Sequence, residues 1–324
     1  MVVGRYVRKL LALSLMCGAV AGLPAHAEQD PIELVVPFAP GGASTALGRL
    51  NAQALGEQLD TVVVVSNRPG AGGSIGAGYV ANATADGRTM LLGTISTHAI
   101  NPALYKKLAY DANKDFTPVA RIAGLPNVLV VRADSDIKTV EDFVAKAKQQ
   151  RMSFGSPGNG TTAHLAGELM KMMQPDMQVV HVPYRGTAAA TTDLLGGRID
   201  FQFDNVSSLI PHIQSGRLRA LAVSSMEPVD VLPGVAPLSE HSGFDKFEVL
   251  SWFGFWLPKG ASQEQVQTYT KALDAMYADE AFLDKIRAIG FTPTLAKDQT
   301  FLDFVSAEQQ KWREVVEAAN IQID

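Results

Sequence analysis

The run VVPFAPGGASTALGRL (residues 35–50) decides the fold. Four apolar positions, Val35 to Phe38, lead into Pro40-Gly41-Gly42 and then into Ser44-Thr45, where a helical pattern starts. A strand that hands over to a helix through two glycines leaves the first N–H groups of that helix without partners. Such a joint serves either as a tight turn or as a seat for something negative.

Working outward, the same unit recurs: an apolar, β-rich run, a Gly/Ser/Thr/Pro loop, then a helical stretch. Strands are expected at 32–38, 61–66, 89–93, 128–132, 152–155, 179–182, 201–203 and 218–224. Helices are expected at 45–59, 74–83, 102–107, 140–149, 162–173, 188–195 and 208–215. Strict alternation with runs apolar throughout predicts an α/β fold of mainly parallel sheets flanked by helices. The pattern then changes. EVLSWFGFWL (248–257) is long and aromatic, and two amphipathic helices follow, near 263–277 and 298–319. A long late strand suits a chain returning from one domain to another, and residues 116–132, with Pro118 and Pro126, suit the outward crossing. Two lobes with two interdomain crossings are therefore expected. Lobe 1 is discontinuous (28–124 plus 249–324), and lobe 2 spans 125–248.

The opening loop has an echo. Pro157-Gly158-Asn159-Gly160-Thr161-Thr162 also follows an apolar run and places two hydroxyl residues at a helix start, and the expected division puts one such loop in each lobe. Unpaired N–H groups, the positive end of the helix dipole and glycines that admit close approach make each loop a ready site for a carboxylate or phosphate. Ligands of open α/β sheets sit at the carboxyl ends of strands, where these loops lie. Ordinary capping chemistry also uses these residues; two similar loops in two lobes favour the ligand reading. NRPGAGGSIGAG (67–78) lacks the last glycine of the dinucleotide fingerprint, Ile75 standing there, and its glycines read mainly as helix-on-sheet packing. In VPYRGTAAA (182–190), Arg185 is either a bidentate carboxylate partner or a surface residue.

Composition narrows the class. Arg5, Arg8 and Lys9, the apolar run Leu10–Val20 and Ala25-His26-Ala27 read as a secretory leader cleaved after Ala27, hence a periplasmic protein. Cys17, the single cysteine, leaves with it, so no disulfide, thiol nucleophile or cysteine metal site is expected. The leader carries three positive and no acidic residues, so its removal takes the net charge from −5 to −8 and argues against nucleic acid as a partner. After residue 27 no apolar run is long enough to span a bilayer.

VPFAPGG (36–42), NRPGAGGSIGA (67–77), DGRTMLLGT (86–94), SPGNGTTAHLAGEL (156–169), VPYRG (182–186) and GRLRALAV (216–223) together resemble the Bug/TctC family of solute-binding receptors of tripartite tricarboxylate transporters. The resemblance covers nearly the whole chain after residue 27. It implies a two-lobed periplasmic-binding-protein (Venus flytrap) fold, no catalysis, no cofactor, and a small carboxylate as ligand: a di- or tricarboxylate, an acidic amino acid or an aromatic acid. It implies integral-membrane permease subunits as partners. The loops it points to are Phe38, Gly41, Gly42, Ala43, Ser44 and Thr45 in one lobe, and Ser156, Asn159, Thr161 and Thr162 in the other. Ser96, Thr97, Tyr184, Arg185 and Asp204 stand next in line. The family pattern often has Asp where this chain has Thr45. Thr keeps the helix cap but removes a negative charge, which favours a ligand carrying only carboxylates. A monomer is expected.

The main rival is a periplasmic enzyme acting on a small organic acid. The sequence is read as having no G-x-S-x-G nucleophile elbow, no P-loop and no H-E-x-x-H. His98, His164, His181, His212 and His241 have no metal-ligand spacing, and hydrogen-bonded structural roles are expected for them. A docking patch made of Trp252, Phe253, Phe255 and Trp256 is the third reading; burial on both faces of a strand fits them better.

Overall fold

The computed structural model describes residues 30–318. The leader read at residues 1–27, with its cleavage after Ala27, lies outside the described residues.

The first unit is the one the opening run announces. Strand β1 (Ile32–Val36) is buried at four of five positions, and helix α1 (Ala43–Leu59) follows the glycine loop. Strand β2 (Val63–Asn67), helix α2 (Ser74–Ala81) and strand β3 (Thr89–Thr94) repeat the unit. β1 pairs in parallel with both β2 and β3. A π-helical turn over Ser96–Ile100 then runs into the short helix α3 (Asn101–Leu104). The strand expected at 128–132 is much longer: β4 covers Phe116–Arg132 without a break.

The second half repeats the plan with helix α4 (Val140–Gln149), strand β5 (Met152–Ser156), helix α5 (Thr162–Met173), strand β6 (Val179–Pro183), helix α6 (Thr187–Leu195), strand β7 (Phe201–Asn205), helix α7 (Val206–Gln214) and strand β8 (Leu218–Val223). β5 pairs in parallel with β6 and β7. The aromatic run forms strand β9 (Leu250–Pro258), and helix α8 (Gln263–Tyr277) comes next. Helix α9 (Glu280–Ala288) and strand β10 (Thr292–Lys297) were not expected from the sequence. Helix α10 (Asp298–Ala318) closes the described chain.

The strands form one curled, mixed sheet of order β2-β1-β3-β9-β4-β7-β5-β6, with β8 and β10 also on β4. The parallel pairs lie in the outer parts. Every antiparallel pair involves β4 or β9, the two strands expected from the sequence to cross between lobes. β4 is shared between the halves: Phe116–Pro126 pairs with β9, whereas Asn127–Val131 pairs with β7. The change of partner falls at Pro126, which has no N–H to offer a ladder.

β9 owes its burial to both faces. Trp252, Phe253, Phe255 and Trp256 are all buried, so they form core and no docking patch. The indole N–H of Trp252 and that of Trp312 both donate to Glu308 Oε2, at 3.0 and 3.2 Å. Trp256 stacks on His98 with ring centroids 3.9 Å apart, and it packs over Gly93, where a Cβ would strike the indole. Among the described residues no helix is long and apolar enough to cross a membrane.

Candidate functional site

The strand-to-helix loops of both halves open on one cavity of about 590 Å³. The first half contributes Phe38, Gly42, Ala43, Ser44 and Ser96, and the second contributes Asn159, Thr161, Thr162, Tyr184, Arg185 and Asp204. All were singled out from the sequence. Four others were singled out and do not line it. Gly41 makes the turn, with φ +91° and open space around it. Thr45 is 2% exposed; its hydroxyl donates to Ala39 O (3.4 Å) and accepts from Asn67 Nδ2 (2.9 Å), so it braces the loop from behind. Thr97 is fully buried and holds the backbone of Thr94, its hydroxyl accepting from the N–H and donating to the carbonyl. Ser156 lies 2.7 Å from His181 Nε2 and accepts from the Gly158 N–H, so it shapes the second loop without facing the cavity.

Lining residues that sequence reasoning passed over are Gly70 to Gly73, Tyr105, Thr187, Asn205 and Ser251. The glycine-dense stretch proves to have two roles. Gly76 packs where a Cβ would touch Pro37 Cα at 2.8 Å, as a packing glycine does, while Gly70 to Gly73 face the cavity. Ser251 is the hydroxyl in an otherwise aromatic strand, a signal that was present. Its Oγ donates to Asn205 Oδ1 (2.7 Å) and lies 2.7 Å from Thr162 Oγ1, and Thr162 also reaches Asn127 Oδ1 (3.3 Å). This neutral chain joins both crossing strands to the cavity floor.

Five helices begin at the cavity, through Gly42–Ala43 (α1), Gly73 (α2), Thr161–Thr162 (α5), Gly186–Thr187 (α6) and Asn205 (α7). None has an acidic residue in its first turn, and only α5 has a capping side chain, Thr161. The helices that begin elsewhere are treated differently. α4 has a capping box with Glu141 and Asp142, α8 has Ser262 with Glu264, α9 has Asp279 with Glu280, and α10 starts on Asp298. Among the described helices of eight or more residues, those that begin away from the cavity carry an acid in the first turn and those that begin at it do not, although Asp204 directly precedes the cap of α7; the four-residue α3 has neither cap nor acid. The Ala43 N–H is engaged by Ser208 Oγ at 3.1 Å, across the cavity rim.

The second loop sits on two stacked histidines. His164 and His181 have ring centroids 4.1 Å apart, and His164 Nδ1 accepts from the Gly160 N–H at 3.3 Å. Burial pushes His164 down to about 4, helped by Lys171, and pushes His181 down to about 3, helped by His164 and Lys171. Burial alone takes His98 to about 3. All three stay neutral at pH 7. Two charged residues line the cavity. Arg185 is exposed and makes no ion pair among the described residues. Asp204 is buried, and desolvation pushes its carboxyl up to about 6 against hydrogen bonds from Asn205, Thr187 and Gln202.

The Ser156–His181 pair has nucleophile-and-base spacing, but Ser156 is fully buried and neither residue lines the cavity. Gly72-Gly73-Ser74-Ile75-Gly76 does have the spacing of a nucleophile elbow, contrary to the sequence reading. However, Ser74 Oγ accepts from Asn101 Nδ2 at 3.0 Å, has no histidine partner, and follows a 3-10 turn where an elbow needs a strand. Among the described residues no group of His, Cys, Asp and Glu could hold a metal. What the arrangement does offer is a set of N–H groups and hydroxyls suited to an anion.

The comparisons agree with that chemistry. Residues 47–321 match the family described as "Tripartite tricarboxylate transporter family receptor". Protein BugT of Bordetella pertussis is 32% identical over 95% of this chain and 96% of its own length. The solved structure of R. palustris Rpa4515 with adipate is 34% identical, covers 91% of this chain and 99% of its own, and superposes with a TM-score of 0.87. MatC (Rpa3494) from Rhodopseudomonas palustris with bound malate is 27% identical, covers 89% and 99%, and has a TM-score of 0.81.

Two predictions follow from the rim and from the histidines. A Cβ on Gly160 would strike Asn101 Oδ1 of the opposite half, whereas Gly216, equally left-handed (φ +69°), has nothing within 4 Å. Alanine at either position costs about 1–2 kcal/mol of stability for the backbone alone. Only Gly160→Ala should also weaken ligand binding, by about tenfold or more; equal affinities by calorimetry would refute this. Stability should also fall with acid. Unfolded histidines take up protons near pH 6.5, the folded ones only near 3 to 4. Asp204 acts in the opposite sense, since its folded carboxyl binds a proton near 6. Between pH 6 and 4.5 the balance leaves the unfolded state ahead by up to two protons, about 1.4 kcal/mol per pH unit for each. A melting temperature that stays level from pH 7 to 4.5 would contradict it.

Proposed function

The chain belongs to the tripartite tricarboxylate transporter receptor family, and on that premise we propose that it captures a small carboxylate in the cavity and delivers it to integral-membrane permease subunits. The receptor works in the periplasm, after removal of the leader at Ala27. Its two lobes, 28–124 with 249–324 and 125–248, close about β4 and β9. The family's role is binding, so no turnover of the ligand is involved.

The observation that carries this reading is the five helix N-termini that meet at one cavity without an acid among their first turns. Micromolar affinity needs about 8 kcal/mol. Each helix terminus supplies ~0.3–1 kcal/mol and each charge-assisted hydrogen bond ~1.5–3 kcal/mol. One loop falls short, while two loops gripping one anion reach that range. Adipate and malate in the two structural neighbours are both small dicarboxylates, which supports the ligand class. Gly42 and Ser44 on one side, with Asn159, Thr161 and Thr162 on the other, are the residues assigned to the carboxylate. Phe38, Ser96, Tyr184, Arg185 and Asp204 complete the wall. The hydroxyl of Tyr184 is already given to Asp193 (2.9 Å), which leaves its ring for the ligand.

A thermal-shift screen against a panel of small carboxylic acids tests the proposal. At least one acid should raise the melting temperature by several degrees at saturation. Gly42→Asp should then separate stability from function. An acid at this helix start caps α1 and leaves the melting temperature of the ligand-free protein unchanged or higher, yet it abolishes the ligand-induced shift. A full shift retained in Gly42→Asp would remove the first loop from the site.

A further inference from the structure

The cavity wall contains one group that a carboxylate site does not call for. Asp204 is the penultimate residue of β7, is 1% exposed and lines the cavity. No cation pairs with it among the described residues. Its Oδ1 accepts the Asn205 N–H at 2.7 Å and its Oδ2 accepts Gln202 Nε2 at 3.0 Å, while the nearby Thr187 hydroxyl favours the charged form. Gln202 is held in turn by Thr191, whose hydroxyl donates to Gln202 Oε1 at 3.2 Å, so the amide keeps its N–H face toward Asp204. A carboxylate has about four acceptor sites. The protein donates to one site on each oxygen, and the residue borders the cavity, so acceptor capacity remains for whatever the cavity holds.

The groups that face Asp204 from the elements around it are neutral: Asn205 and Gln202 of its own strand and Thr187 of α6. Arg185, the other charged lining residue, is exposed and makes no ion pair with it. Burying a charge without a counter-charge is costly, and a neutral Asn or Ser caps a helix as well. A purely structural role therefore leaves the acid unexplained. Resting on the receptor reading above, we infer that Asp204 is a specificity-determining residue that accepts a hydrogen bond from a hydroxyl or ammonium on the ligand, so the cargo is a carboxylate bearing such a donor and not a plain diacid. This reverses the preference drawn from Thr45. That residue lies behind the wall and does not set the cavity's charge, whereas Asp204 supplies an acidic group from the opposite half.

Calorimetry at pH 7.5 with acids matched in length tests this: four-, five- and six-carbon diacids, each as the plain acid, the 2-hydroxy acid and the 2-amino acid. At the length that binds best, a donor-bearing acid should bind about tenfold or more tightly than its plain counterpart, as expected for one hydrogen bond to a charged acceptor. The hydroxy and amino arms identify which donor is read. Asp204→Asn should bring that ratio close to one. Because Asn sets an NH2 against one of the donors that hold Asp204, a second readout uses the unaltered protein. Titrations in buffers of different ionisation enthalpy should reveal proton uptake when a plain diacid binds, as Asp204 is neutralised, and none with the donor-bearing acid. A plain diacid that binds as tightly as its partners with equal proton uptake overturns the inference, and so does a preference that survives Asp204→Asn. If no acid of the panel binds, the receptor reading itself fails and this inference falls with it.

Discussion

Everything in this molecule that concerns a ligand depends on one electrostatic arrangement: helix N-termini that the protein does not neutralise, gathered at one place. A helix start carries partial positive charge and N–H groups without intrahelical partners. Proteins usually satisfy such groups at once with a capping side chain or an acid, and α4, α8 and α9 follow that habit. The helices that begin at the cavity do not, apart from the cap of Thr161. On the proposed function, the anion in the cavity offsets the cost of leaving them open, which couples ligand binding to the stability of both halves.

The sheet makes that coupling mechanical. β4 is continuous from Phe116 to Arg132, yet its ladder partner changes from β9 to β7 near Pro126. The two halves thus share a strand while their other strands remain separate. Across the rim they touch through small residues. Gly72 faces the carbonyl of Asn159, Gly160 faces Asn101, and Gly186 faces Ala39. Each contact leaves no room for a Cβ without displacement. Behind the cavity, Thr162, Ser251, Asn205 and Asn127 link the floor to both crossing strands through hydroxyl and amide groups. Thr162 is thereby tied to both β4 and β9, the strands about which closure is proposed.

Much of this was legible in the residues. Helices α4, α5 and α8 were bounded correctly, because Thr139, Thr161 and Ser262 are capping residues placed directly before periodic apolar stretches. The acid-free helix starts were also visible, in PGGAST and GNGTTAH. What could not be read is what a partner strand or loop decides. β10 was missed because Pro293 interrupts a short run whose only pairing is with β4. β4 was read as 128–132 because Pro118, Gly124 and Pro126 look like loop residues until β9 and β10 lie beside them. Thr45 and Thr97 were assigned to the site by position in the loop. Side-chain direction, set by Ala39 and Thr94, turns both inward. Asp204 was noticed, but its burial, which gives it meaning, depends on Gln202 and Thr187 arriving from the sequence around it.

The most direct test of the central claim is a backbone amide 1H–15N spectrum recorded with and without a saturating carboxylate ligand. The account predicts downfield proton shifts, from new hydrogen bonds to a carboxylate, at the amides of Gly42 and Ser44 and at the starts of α5 and α6. Amides there that stay in place while the ligand is bound, with shifts confined to other parts of the chain, would contradict it.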